Sequence, residues 1–115
     1  MSGGALNYSF VHMNETERRI QEEIEKLEAL IQVGATVGYS VSQYHKNRFP
    51  EREEFQSEES LAKAVLRIYR RTVECLTKAS IYSQRIEWMW SGDDSPEALV
   101  LRVEEELNQA KKENF

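Results

Sequence analysis

Two histidines and one cysteine are the side chains of this sequence best suited by type to metal or nucleophilic chemistry. A metal centre would have to be assembled from His12, His45 and Cys75. The chain has neither the His-Glu-x-x-His pair that puts two imidazoles on one helix face nor a Cys-x-x-Cys pair. A nucleophile would be Cys75 activated by a histidine. Cys75 falls on an apolar helical seam, however, where a thiol packs as a small hydrophobe. Gly3-Gly4 and Gly92 lack the Lys-Ser/Thr that completes a phosphate loop. The glutamates sit one helical turn from basic residues, as Glu22 does from Lys26, which is ordinary surface pairing. The chain is therefore expected to be non-enzymatic, with no catalytic residue, cofactor, metal or small-molecule substrate.

Two groups remain as candidates for binding. Arg67, Arg70, Arg71 and Lys78 form a basic stripe on one helix. It is suited to anionic headgroups or, alternatively, to an acidic neighbouring helix. Trp88 and Trp90 end the same helix on different faces, so one is expected in the core and one at a contact surface. The net charge of −5 argues against general nucleic-acid binding.

The element that must carry these residues is a long helix. Leu61, Val65, Ile68, Thr72, Cys75, Ala79, Tyr82, Ile86 and Met89 alternate steps of four and three, which is helical spacing held for about eight turns. A second stripe, Leu66, Tyr69, Val73 and Leu76, lies beside it, and a face that wide suits a bundle with neighbours on two sides. Ser57 is the expected N-cap, with Glu58 and Glu59 at the positive end of the helix dipole. The helix is expected to end near Trp90 in the loop Ser91-Gly92-Asp93-Asp94. Ser95 before Pro96 and Glu97 then starts a last helix through Leu99, Val103, Leu107 and Ala110, expected to fray near Glu113 to Phe115.

Residues 1–13 read as a lead-in, with Ala5 to Val11 forming a short helix or an arm. Asn14 with Glu17 three residues on has the form of a capping box, opening a helix through Ile20, Ile24, Leu27, Leu30 and Ile31. Its pattern runs on through Gly34, Val37, Gly38 and Val41 to Tyr44. Two glycines there predict a bend or break, or a point of close packing; the small-xxx-small spacing is a dimer motif in membranes. Phe49 before Pro50 is disfavoured in helical geometry. The first helix is rich in glutamate and the long helix in arginine and lysine, so charge is expected to orient their pairing, either within the bundle or between subunits.

A chain of 115 residues supports one domain with a modest core, here residues 14–115. No apolar run is long enough to cross a bilayer, and Met1 to Phe10 does not have the form of a secretory signal. A lone cysteine fits a reducing compartment, and the cytoplasm is expected.

From Leu30 to Trp90 the chain resembles the helical N-terminal domain of fungal STAND proteins, NLR-like signalling proteins built around a NACHT nucleotide-binding module. The resemblance rests on the aromatic-to-Phe-Pro element Tyr44 to Pro50 and on a Ser- and Glu-rich turn before Leu61. It continues through Ala64, Ile68, Tyr69 and Ala79, then Tyr82 and Arg85 ahead of a tryptophan. The last helix, Pro96 to Lys112, has the matching place and length. The chain carries no NACHT phosphate loop and no repeat array, so it is expected to be an isolated module, a truncated form or a stand-alone paralogue. What the resemblance implies is a signalling or self-association domain in immunity or programmed cell death, with no catalytic residues to transfer.

Together these readings predict an all-α antiparallel bundle of about four helices, one long and central. The expected core is Ile24, Leu27, Ile31, Leu61, Val65, Ile68, Leu76, Ile86 and Leu99, and Ile68→Asp is expected to unfold it by burying an unpaired charge. The expected function is protein–protein interaction, either with a second copy or with another protein. A membrane-perturbing bundle, using the basic stripe and the amphipathic lead-in on a membrane surface, and a structural or regulatory subunit are the alternatives.

Overall fold

The computed structural model describes residues 9–35 and 38–114. Gly3, Gly4, Ala5, Leu6, Val37 and Phe115, on which parts of the sequence reading fell, lie outside the described residues. Among the described residues the chain is all-α, and four helices follow one another: α1 (Ser9–Gln32), α2 (Gln43–Arg48), α3 (Glu58–Trp90) and α4 (Pro96–Asn114). A 3-10 turn, Glu53–Phe55, lies between α2 and α3. Two compact units divide the chain. One holds residues up to Arg19 together with residues from Thr72 on; the other is Ile20–Arg71.

The helix ends are set by local chemistry. Ser57 Oγ accepts from the Ser60 amide at 3.0 Å, capping α3 as expected. Ser95 Oγ accepts from the Ala98 amide at 3.1 Å at the start of α4, with Pro96 in the first helical position. Ser42 caps α2, accepting from the His45 amide at 3.3 Å. At the end of α1, Gly34 takes φ +70, its amide donates to Ile31 O at 3.1 Å, and the Ala35 amide donates to Leu30 O at 3.0 Å. These are the paired bonds of a Schellman stop. Gly92, at φ +86, repeats the arrangement at the end of α3, with bonds to Met89 O and Trp88 O. Gly34 and Gly38 therefore break the chain between α1 and α2. Neither is a close-packing point, because no atom lies within 4 Å of where a β-carbon would stand.

Asn14 does not open the first helix; α1 begins at Ser9, inside the segment read as a lead-in. Asn14 and Glu17 instead make tertiary bonds in the unit that contains the chain ends. Ser80 Oγ donates to Asn14 Oδ1 at 2.8 Å, and Thr77 Oγ1 donates to Glu17 Oε1. As the α1 partner advances from 14 to 17, the α3 partner falls back from 80 to 77, so the helices run antiparallel in this unit.

The buried face of α3 is turned by one residue from the seam read in the sequence. Ala62, Leu66, Ser80, Ser83 and Glu87 are buried, and Tyr69, Val73 and Leu76 on the same stripe are half-buried. This stripe also steps by four and three, but one residue later, which rotates the inward face by about 100°. Ile68 is 65 % exposed, Tyr82 is 46 % exposed, and Cys75 is exposed. Leu61, Val65, Thr72, Ala79, Ile86 and Met89 form a half-buried shoulder. The expectation that Ile68 is core and Cys75 packed is thus overturned, and with it the ground on which Ile68→Asp was expected to unfold the protein. The inward face follows the second stripe, Leu66, Tyr69, Val73 and Leu76, and continues through polar residues, Ser80, Ser83 and Glu87, of which Ser80 donates to Asn14 on α1. Hydrophobicity alone marks this stripe as far as Leu76 and passes over its polar continuation.

In the Ile20–Arg71 unit, Ile24, Leu27, Ala62 and Leu66 are buried, with Ile31 half-buried beside them. Tyr39 and Tyr69 share a side-chain hydrogen bond.

Candidate interaction surfaces

The basic stripe begins in the Ile20–Arg71 unit. There α1 and α3 leave a groove of ≈ 490 Å³ lined by Glu28, Ile31, Gln32, Lys63, Leu66, Arg67 and Arg70. Positions 63, 67 and 70 repeat at i, i+4 and i+7, so helical geometry alone places three cations on one side of α3. Arg70 Nη2 donates to Glu28 Oε1 at 2.8 Å, which joins the basic helix to the acidic one as the charge pattern anticipated. Lys63 pairs with Glu59 on its own helix at 3.1 Å. Arg67 is exposed and lines both this groove and a smaller neighbouring one with Glu53, Glu54, Ser60 and Lys63.

The other members of the stripe belong to the second unit or to its border. Lys78 is engaged with Glu74 at 3.2 Å along α3, an exposed pair that contributes little stability. Arg71 is exposed. Lys78 and Glu74 also line a groove of ≈ 400 Å³ with Tyr82, Leu107, Asn108 and Lys111 between α3 and α4. The tryptophans differ in exposure. Trp88 is half-buried beneath the Arg85 guanidinium, 4.6 Å from the ring centre, and Trp90 is 61 % exposed.

Arg85 was not singled out as a site residue by sequence, yet it anchors α4 to α3. Its Nε donates to Glu106 Oε1 at 2.7 Å, a second guanidinium nitrogen reaches the same carboxylate, and Nη1 stands 3.6 Å from Asp94 Oδ2. Arg102 Nε lies 3.9 Å from the other oxygen of Asp94. Nη1 and Asp94 Oδ2 are buried and make no hydrogen bond, so charge attraction holds them. An arginine suits this position because its planar fork serves two carboxylates while its face covers a ring.

The histidines fall in separate settings. His12 is exposed on α1, where its carbonyl accepts from Thr16 Oγ1 at 3.0 Å. His45 lies 2.6 Å from Ser42 Oγ through Nδ1. Its ring stacks on Phe49 at 6.3 Å and meets Phe55 edge-on at 5.6 Å. Phe49 and Phe55 meet at 5.9 Å, so the aromatic-to-Phe-Pro element closes a small ring cluster around the turn before α3.

Sequence reasoning also missed the outer face of α4. Val100 and Leu101 are 58 % and 61 % exposed. They fall off the Leu99, Val103, Leu107, Ala110 stripe, and that offset was the available signal. No family model, curated protein or solved structure matches the chain.

Proposed function

We propose that the protein is a non-enzymatic helical interaction module that associates with itself. The observation that carries this reading is the set of large apolar side chains exposed on α3 and α4. Ile68, Tyr82 and Trp90 on α3 and Val100 and Leu101 on α4 are all 46 % exposed or more. Exposed apolar side chains in helical register are what a partner helix buries. The signalling role in fungal NLR-like immunity and cell death belongs to the same proposal and rests on the sequence resemblance alone.

Size-exclusion chromatography with light scattering, across a wide concentration range, tests the reading. The expected result is a mass that rises with concentration. A monomer at every concentration would reject self-association.

A further inference from the structure

The basic groove and the outer face of α4 are complementary in charge at Arg67. The groove gathers Lys63, Arg67, Arg70 and the carboxylate of Glu28 around the apolar Ile31 and Leu66. Lys63 pairs with Glu59 and Arg70 with Glu28, so among the described residues of the groove the exposed Arg67 is the cation left to meet an incoming carboxylate. On α4, Glu97, Val100, Leu101, Glu104 and Glu105 are all exposed. Their spacing of i, i+3, i+4, i+7 and i+8 gathers them on one face, with the apolar pair between acidic turns. Arg102 is off this face, beside Asp94. An amphipathic helix that enters a groove presents this set of anchors.

We infer that the α4 face of one copy docks in the α1/α3 groove of a second copy, joining copies head to tail. This rests on the self-association proposed above and names the two surfaces that carry it. Val100 and Leu101 meet Ile31 and Leu66, while the acidic turns of Glu97, Glu104 and Glu105 flank Arg67. One copy's α4 enters the next copy's groove without the reverse contact, so the arrangement is heterologous. Each copy joined through its groove still offers an α4 face, and the assembly grows into chains or closes into rings larger than a dimer.

Two variants at exposed positions test the inference: Arg67→Glu in the groove and Leu101→Asp on α4. Their masses are read by light scattering, with melting curves to verify folding. The wild type is expected to exceed a dimer as concentration rises, and each variant alone to associate about tenfold more weakly. Mixed one to one, the variants are expected to form a heterodimer that does not grow, because one intact groove meets one intact α4 face. If a charge substitution lowers the melting temperature, Arg67→Ala and Leu101→Ser replace the pair with the same expected outcomes. A mixture that stays monomeric overturns the inference, and so does a wild type that stops at a dimer. Variants that associate as the wild type does also overturn it, while leaving self-association through another surface standing. A wild type that is monomeric throughout removes the proposed function itself.

Discussion

Arg85 holds its charge where only 11 % of its side chain meets solvent, between Glu106 and Asp94 and over Trp88. Removing one partner of such a group leaves the others uncompensated, which costs more than the pair contributes. Arg85→Met is expected to lower stability by about 3 kcal/mol, read as a drop in the denaturant midpoint at unchanged slope. At Tyr39 the hydrogen bond with Tyr69 raises the phenol above its ordinary 10.0, with burial and the charges of Tyr69 and Glu23 acting in the same direction. Below that pH the phenol is protonated in both folded and unfolded chains, and the contribution is intact. Above it the unfolded chain releases its proton first, so stability falls as pH rises and the contribution is gone beyond the folded value. Tyr69→Phe should flatten this alkaline loss and bring the tyrosinate absorbance of Tyr39 back toward ordinary titration. The rotation of α3 gives a sharper contrast. Ile68→Asp should change stability by no more than about 0.5 kcal/mol, whereas Leu66→Ala should cost about 2–5 kcal/mol; an unfolded Ile68→Asp protein by circular dichroism would contradict the observed inward face.

At the scale of elements, the helix boundaries follow from single residues. Gly34 and Gly92 both stand at positive φ with open space around the missing β-carbon. The cost of Gly34→Ala is therefore the backbone conformation alone, about 1–2 kcal/mol, and thermal melting should resolve it. The caps at Ser57 and Ser95 were legible in the sequence because capping depends on neighbours within one turn. The start of α1 was not. Asn14 and Glu17 have the spacing of a capping box, but in the structure they bond to Ser80 and Thr77 on α3. A pattern of polar residues does not reveal whether its partner is the next backbone amide or a side chain 60 or 66 residues away.

At the scale of the whole molecule, the proposed assembly joins a cationic groove to an anionic helix face. Charges at an exposed contact are screened over about 8–10 Å at ordinary ionic strength. Raising salt should therefore reduce the mass measured by light scattering at fixed concentration, and an increase would point to purely apolar association. Of the two surfaces, the cations at Arg67 and Arg70 were legible from helical spacing. The groove beneath them was not, since it exists only where Ile31 and Leu66 meet from different helices.

The sequence by itself determined that the chain is all-α, where α3 begins and ends, where α4 begins, and that apolar stripes run along α3. These depend on period, caps and breakers, which act over a few residues. Only the tertiary structure decided which stripe of α3 faces inward, that Cys75 and Ile68 face solvent, and that Arg85 ties α4 to α3. Two adjacent stripes share one step pattern on one helix. Beyond Leu76 the inward one carries Ser80, Ser83 and Glu87, and the partner of Ser80 is Asn14 on α1, which lies far away along the chain.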